Sequence, residues 1–180
     1  MKRSLLYALP IVVLGILIAV FWRGLYLNPR ILKSPLIDKP VPTFSLPELE
    51  HPQDPITQQA LLGQVSLVNV WGSWCYACGE EQQTLMDFAR QKVVPIYGWD
   101  YMDNRQSALA WLAQRGNPYT AVAFDPSGDA AMNWGVYGAP ETFLIDQHGI
   151  IRYKYTGPLT PEIIAKDLLP RIQALRRDGA

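Results

Sequence analysis

Apolar and polar positions alternate along the middle of the chain in an order typical of α/β proteins. Residues 65–71 are mostly apolar, β-branched or aromatic, which predicts a buried strand. Residues 79–90 carry apolar side chains at helical spacing and predict a helix. A second strand is predicted over 93–99. A second helix follows up to Arg115, with Asn104 as its N-cap. This order predicts a sheet with helices packed against it.

The remaining elements are shorter, apart from a final helix. Thr160 is a suitable N-cap for that helix, and Pro161 fits its first position. Pro170 predicts a bend before the helix ends near Arg177. Strands are predicted over 44–49, 121–124, 142–145 and 150–155, the last two as a hairpin, and short helical turns over 58–62 and 129–134.

The amino end carries the longest apolar run of the chain. Eighteen uncharged residues, 5–22, follow Lys2 and Arg3, which is close to the lower limit for a helix that spans a bilayer. A cleaved signal peptide is the alternative, but its cleavage site needs small residues, and the run ends in bulky ones through Trp22. We therefore expect an uncleaved membrane anchor.

Prolines separate this apolar run from the rest of the chain. Pro29, Pro35 and Pro40 fall in a stretch without a helical pattern, which is typical of an extended, stiff linker. The length of 180 residues is sufficient for one domain with such additions. The predicted parts are an anchor over 1–23, a linker over 24–41 and one α/β domain over 42–180.

Composition narrows the classes of function. The formal net charge is zero, so the chain lacks the basic bias of a protein that binds nucleic acid. No cluster of basic residues with interleaved aromatic residues occurs in the sequence either. We therefore expect no nucleic-acid partner.

The only two cysteines, Cys75 and Cys78, lie where the first predicted strand leads into the first predicted helix. At a helix N-terminus the free N–H groups and the helix dipole favour an anion. Because the thiolate is the nucleophile in disulfide exchange, we expect Cys75 to have a lowered pKa and to be the attacking sulfur. Cys78, one turn further on, is then placed to resolve the mixed disulfide.

Four alternative roles for this cysteine pair compete with redox chemistry. A structural zinc site needs two more ligands, and His51 and His148 lack the usual spacing. Covalent haem attachment needs a histidine directly after the second cysteine, where this chain has Gly79. A purely structural disulfide would close too short a loop to add much stability, and two inert buried thiols are the simplest alternative.

Three stretches of the sequence carry a resemblance to a known family. They are residues 67–75, residues 116–119 and, above all, residues 135–146, which contain Ala139-Pro140-Glu141. From about Pro42 to its end the chain resembles the membrane-anchored, thioredoxin-like thiol:disulfide interchange proteins of cytochrome c maturation, the CcmG/DsbE family.

The resemblance implies a thioredoxin-like α/β fold, with a central mixed β-sheet flanked by helices and one transmembrane helix before it. One departure from the family is the pair Tyr76-Ala77 between the cysteines, where the family usually has Pro-Thr. Because the intervening residues tune the stability of the thiolate, this departure bears on the redox potential.

The resemblance also implies a peptide-binding groove. In thioredoxin-like folds a cis proline faces the C-x-x-C pair, and Ala139-Pro140 matches that position. The backbone of Ala139 is then expected to meet the bound peptide, with Pro140 beside it. An exposed Trp74 ring next to Cys75 would add to the groove. The alternatives are an ordinary loop proline and a tryptophan used for packing.

Two glutamates are candidates for handling the proton of Cys78. Ordinary thioredoxins carry a buried aspartate on the strand before the cysteines, and Asn69 stands at that position here. Glu81 lies three residues after Cys78, within reach on the helix surface. Glu141 follows the predicted cis proline and is expected to point toward the active-site region. The alternative for Glu81 is a solvated residue that complements the helix dipole.

The implied function is reduction of disulfides in apocytochrome c, or in a thiol-carrying partner of its maturation. A membrane thiol reductant would restore the Cys75–Cys78 dithiol, and no metal or organic cofactor is implied. Since this chemistry belongs outside the cytoplasm, we expect a single-pass protein of the inner membrane whose soluble domain faces the periplasm. A general disulfide oxidant or exchanger, and a client-binding module with incidental redox chemistry, are the alternatives.

The redox poise is the remaining sequence-based expectation. Carboxylates near the site weaken stabilisation of the thiolate, and the residues between the cysteines supply no cation to offset them. We expect a potential of roughly −200 mV or below, on the reducing side of strong disulfide oxidants.

Overall fold

The computed structural model describes the backbone of residues 2–25 and 34–178, and the side chains of residues 10, 12–24 and 34–177. The chain divides into two compact units, Met1–Leu32 and Lys33–Ala180. The first unit contains helix α1, Lys2–Leu25. Over the residues described, no helix combines the length and the apolarity needed to cross a membrane. Residues 26–33 of the predicted linker, and the side chains of Lys2 and Arg3, lie outside the described residues.

The second unit is built on a five-stranded sheet with the order β5-β4-β3-β6-β7. Strands β3, β4 and β5 are parallel, whereas β6 runs antiparallel to β3 and β7 antiparallel to β6. A separate two-stranded sheet joins β1 and β2. The strands are β1 Ser45–Leu46, β2 Ile56–Thr57, β3 Ser66–Trp71, β4 Ile96–Tyr101, β5 Ala121–Asp125, β6 Glu141–Ile145 and β7 Ile151–Thr156.

Four helical regions accompany the sheet, and a 3-10 turn over Gln58–Leu61 precedes it. The side chain of Asn104 accepts hydrogen bonds at the start of α3, so the predicted N-cap is confirmed. The helices are α2 Tyr76–Arg90, α3 Arg105–Arg115, α4 Asp129–Asn133 and a last region made of α5 Pro161–Ile163, a π-helical turn Ile164–Leu168 and α6 Leu169–Asp178.

Near Pro170, where the sequence predicts a bend, the last helical region contains a π-helical turn. Pro170 has no N–H to donate, and in a regular helix its ring would clash with the carbonyl of Lys166. The wider turn ends with the N–H of Leu169 donating to the carbonyl of Ile164, five residues back. The helical segments therefore continue through the proline, and α6 contains it as its second residue.

Two element boundaries differ from the prediction for identifiable reasons. Helix α2 begins at Tyr76 rather than near Gly79, because Cys75 itself is the N-cap. Strand β4 begins at Ile96 rather than at residue 93, because Pro95 cannot donate a hydrogen bond to the ladder. The position of the helix start matters for function, because it places Cys75 at the N-terminus of α2.

Side chains from the two faces of the sheet form two cores. The first core includes Leu67 and Trp71 of β3, Leu85 of α2, and both cysteines. The second core includes Val70 of β3 and a group of aromatic residues, Trp99, Trp134 and Phe143. Because successive strand residues point to opposite faces, each side chain of β3 and β6 belongs to one core or the other.

Residues that precede the predicted domain start pack against the hairpin β6–β7. The N–H of Asp38 donates to the carbonyl of Ile151 at 2.8 Å, and the N–H of Ile151 donates to the carbonyl of Lys39 at 3.0 Å. Val41 is buried at 8% exposure. The last part of the stretch that the sequence assigned to a linker is therefore held on the folded unit.

Candidate active site

Cys75 and Cys78 form a disulfide with a Cα–Cα distance of 5.3 Å. The N–H of Cys75 donates to the carbonyl of Gly72, and the N–H of Cys78 donates to the sulfur of Cys75 at 3.1 Å. The second of these bonds makes Cys75 the N-cap of α2. Cys75 is 6% exposed and Cys78 is 1% exposed, so Cys75 is the more accessible residue of the pair.

The turn between β3 and α2 is fixed by the loop after β4. The N–H and the hydroxyl of Ser73 both donate to the carboxylate of Asp103, at 2.5 and 2.9 Å. The indole N–H of Trp74 donates to the carbonyl of Tyr101 at 3.1 Å. Trp74 is nevertheless 53% exposed. A Cβ at position 72 would lie 2.5 Å from the indole nitrogen, so any residue other than glycine at this position would clash with the Trp74 ring.

The peptide bond between Ala139 and Pro140 is cis, as the resemblance implied. Strand β6 starts directly after it, and Glu141 pairs with Val70. Continuing that register by one residue puts Pro140 opposite Trp71, at the end of β3 that leads into Cys75. Ala139 packs against the first core, which contains both cysteines.

Glu81 lies inside the first core, although sequence reasoning put it on the helix surface. It is 1% exposed, so the alternative of a solvated glutamate is wrong. Its carboxyl accepts hydrogen bonds from the amide of Asn69 at 2.9 Å and from the N–H of Leu159 at 2.7 Å. Burial raises the pKa of Glu81 to about 7, and these two hydrogen bonds oppose the rise.

The Glu81 carboxyl belongs to a larger network of buried polar groups. Asn69 also donates to the hydroxyl of Thr142 at 3.1 Å and accepts from the hydroxyl of Tyr119 at 2.7 Å. Burial, together with the nearby carboxyls of Glu81 and Asp100, raises the pKa of Tyr119 well above its usual value. Asn69 therefore links the glutamate to two neutral hydroxyl groups.

Glu141 lies on the other face of the sheet. Thr142 points to Asn69 and the first core, so its neighbour Glu141 points to the second core. The ammonium of Lys154 lies 2.9 Å from a carboxylate oxygen of Glu141, and the two side chains are 3% and 1% exposed. Burial raises the pKa of Glu141, and Lys154 opposes the rise. Glu141 therefore lies beside the cis proline in sequence, but strand alternation turns its side chain to the face of the sheet opposite Asn69 and Glu81.

Three comparisons with known proteins agree with this geometry. Residues 37–169 match the family model described as Redoxin. The chain is 47% identical to "Thiol:disulfide interchange protein DsbE" of Allochromatium vinosum, over 94% of this chain and 92% of that protein. It is 40% identical to the Escherichia coli K12 protein of the same name, over the full length of both.

The chain belongs to the DsbE family. It is a thiol:disulfide oxidoreductase with a thioredoxin-like fold. Among solved structures, a crystal structure titled as a putative DsbE from Chlorobium tepidum matches with a TM-score of 0.62 and 26% identity. That match covers 75% of this chain and 93% of the other.

Sequence reasoning missed another buried carboxyl of the DsbE domain, that of Asp100. Asp100 lies one residue before the end of β4, opposite Trp71. It is 0% exposed, and its carboxyl receives no hydrogen bond from any described donor. Burial and the neighbouring carboxylate of Asp103 raise the pKa of Asp100 to about 8, whereas Arg105 opposes the rise. An aspartate at the end of an apolar strand was the signal that the sequence offered.

A groove of about 440 Å³ opens beside the cysteines of this DsbE-family protein, between α2 and α3. Ser73, Trp74 and Cys75 line one side of it, and Trp111 and Arg115 come from α3. Sequence reasoning missed both α3 residues, because they approach the cysteines only through tertiary packing. Among the described residues, no three His, Cys, Asp or Glu side chains cluster as a metal site requires.

Proposed function

We propose that this protein reduces disulfides of apocytochrome c, or of a thiol-carrying partner in cytochrome c maturation. The Cys75 thiolate attacks one sulfur of the client disulfide, a mixed disulfide forms, and the first client sulfur leaves as a thiolate. Cys78 then loses its proton and attacks Cys75, which expels the second client sulfur. Two electrons pass to the client, and the Cys75–Cys78 disulfide remains.

One observation carries this proposal: the two sulfurs sit at the N-terminus of α2 with unequal exposure, above a buried carboxyl. The exposed fraction of Cys75 exceeds that of Cys78, which suits the first for attack and the second for resolution. A membrane thiol reductant that draws on cytoplasmic thiols would return the disulfide to the dithiol. The client is taken from the family resemblance.

Glu81 is the group we assign to the proton of Cys78. Both residues are buried on α2, three positions apart, and so lie on one face of the helix. A pKa of about 7 lets the carboxyl accept and return a proton near neutral pH. Asn69, which stands at the position of the buried aspartate of thioredoxins, orients the Glu81 carboxyl by its hydrogen bond.

Glu141 acts in this proposal through the loop before the cis proline. Its carboxylate accepts a hydrogen bond from the N–H of Tyr137 at 3.4 Å and holds Lys154, which also donates to the carbonyl of Gly135 at 2.7 Å. These contacts fix the loop that leads to Ala139. The peptide groove is formed by Trp74, Ala139 and Pro140, and the exposed Trp74 ring supplies its apolar surface.

The domain organisation is the second part of the proposal. Residues 1–23 form an uncleaved anchor in the inner membrane. The domain on the periplasmic side contains residues 42–180 and also residues 38–41, which are held on the hairpin β6–β7, and the residues between anchor and domain connect the two. The support is the run of eighteen uncharged residues, 5–22. Mass spectrometry of the mature protein is expected to find the amino-terminal residues, and a mature start near residue 23 would contradict the anchor.

The direction of electron flow is tested by trapping and by redox equilibrium. Cys78→Ser is expected to accumulate mixed disulfides through Cys75, because attack occurs without resolution, whereas Cys75→Ser is expected to trap nothing. Equilibration with glutathione is expected to give a potential of roughly −200 mV or below. A value near about −120 mV would make the protein an oxidant and overturn the proposal.

A further inference from the structure

The guanidinium of Arg115 reaches the first turn of α2 from the end of α3. It lies 5.5 Å from the centre of the Trp111 ring, and this cation–π contact holds the guanidinium beside α3. A Cβ at position 79 would approach its Nη1 atom to 3.3 Å, so the guanidinium rests almost directly on the backbone of Gly79. Both α3 residues line the groove that contains Cys75.

Gly79 has no other evident reason to stand in a helix. Glycine destabilises a helix interior relative to alanine, because the unfolded chain gains conformational freedom. Position 79 follows Cys75 by four residues, which places the two on one face of α2, one turn apart. The absence of a side chain there lets the guanidinium from α3 lie against the backbone of α2, at a position about 6 Å along the helix axis from that of Cys75.

Apart from the Trp111 ring, no group in the described part of the chain pairs with the charge of Arg115. Its guanidinium makes no hydrogen bond with a side chain or backbone carbonyl of residues 34–177, and no ion pair there. Other ionisable groups around Cys75 are Tyr76 and Glu80 in the groove. Asp103 touches the preceding turn through Ser73, and Glu81 lies below Cys78.

We propose that Arg115 is the cation of the active site, which stabilises the Cys75 thiolate of the reduced protein across the groove. The inference rests on the proposed role of Cys75 as the attacking sulfur. A positive charge near the sulfur favours the thiolate over the thiol, and so favours the dithiol form over the disulfide. In this proposal Arg115 acts through its positive charge, which offsets the negative charge of the carboxylates around the site.

The test compares single variants of the full-length reduced protein. Arg115→Gln removes the charge, and Arg115→Lys keeps a charge but loses the flat contact with Trp111. The matched control is Arg90→Gln, which removes the same charge from the last turn of α2, about 20 Å from Cys75. The pKa of Cys75 is read from thiolate absorbance against pH, and mass spectrometry after limited alkylation identifies the labelled cysteine.

Arg115→Gln is expected to raise the measured pKa of Cys75 by about half a unit, which is a threefold lower thiolate fraction below the pKa. Its equilibrium with glutathione is expected to move about threefold toward the disulfide. Arg90→Gln is expected to change neither quantity, and Arg115→Lys to retain part of the effect. In 1 M salt the difference between native and Arg115→Gln is expected to shrink, because the groove is open to solvent.

Each result bears on a separate claim. A Cys75 pKa that is equal in the native protein and in Arg115→Gln, with Cys75 still labelled first, overturns the role of Arg115 alone. Faster labelling of Cys78 overturns the proposed function itself. An equal shift in Arg90→Gln would mean that net charge, and not the groove, sets the pKa, which also overturns the inference. Thermal melting monitored by circular dichroism verifies that all variants are folded.

Discussion

Two buried glutamates on opposite faces of one sheet meet different surroundings. Glu81 and Glu141 are each 1% exposed, and burial is the largest influence on the pKa of both. Glu141 has the ammonium of Lys154 at 2.9 Å. Glu81 has an amide and a backbone N–H, and no described cation forms an ion pair with it.

The comparison shows that the neighbouring groups of a buried carboxyl determine whether it serves as half of an ion pair or as a group that exchanges a proton. A buried carboxylate must either pair with a cation or take up a proton. Lys154 lets Glu141 remain charged as half of a structural ion pair, and the aromatic rings of Tyr137 and Phe143 lie 4.8 and 5.2 Å from the ammonium. Glu81, with a pKa of about 7, is free to exchange a proton.

The largest effect is expected from breaking the ion pair. Glu141→Gln removes the countercharge of Lys154 and leaves a buried ammonium, which destabilises the fold by about 3 kcal/mol. Urea unfolding of the oxidised protein at pH 7 measures this change. The double variant Glu141→Gln, Lys154→Met removes both charges and is expected to be the more stable of the two variants. A loss below about 0.5 kcal/mol in the single variant would show that the pair is not a structural unit.

A smaller effect, on rate, is expected from Glu81→Gln. The amide keeps the shape of the side chain but cannot take a proton from Cys78, so resolution of the mixed disulfide slows by about a hundredfold. Stopped-flow measurement of client release, starting from a preformed mixed disulfide, isolates this step. Glu80→Gln on the adjacent, groove-facing position is the control for charge. If the variant resolves the mixed disulfide at the native rate and with an unchanged pH profile, Glu81 does not accept the proton of Cys78 and serves only in packing.

The smallest effect concerns stability against pH. The folded pKa of Glu81 is about 7 against an ordinary value of 4.5, so the folded state holds this proton more tightly. Its contribution is complete below about pH 4.5 and is lost as pH rises through 7. The native protein is expected to lose about 2 kcal/mol relative to Glu81→Gln between pH 5 and pH 8. Asp100, whose pKa is also raised, is present in both proteins and cancels. Parallel stability curves from urea unfolding would contradict the raised pKa.

The sequence predicted what depends on local pattern. The strand before Cys75 and the N-caps Asn104 and Thr160 follow from neighbouring residues. The cis bond before Pro140 came from the family resemblance, since its sequence alone gives little reason for it.

The sequence did not predict what depends on packing between distant segments. Leu159, which donates to the Glu81 carboxyl, lies 78 residues further along the chain. Arg115 reaches Gly79 only because α3 packs beside α2. The orientation of Glu141 could have been predicted from the sequence, because neighbouring residues of any strand, here Glu141 and Thr142, face opposite sides of the sheet. The position of Glu141 directly after the proline suggested the wrong face.

The unequal exposure of the two sulfurs also determines how the protein meets peroxides. A peroxide reaches Cys75, the more exposed sulfur, and converts its thiolate to a sulfenic acid. Cys78 lies within bonding distance and condenses with that sulfenic acid, which releases water and forms the same disulfide that the redox cycle produces. By this chemistry the sulfenic acid is expected to end as the Cys75–Cys78 disulfide, one step before the irreversible sulfinic acid.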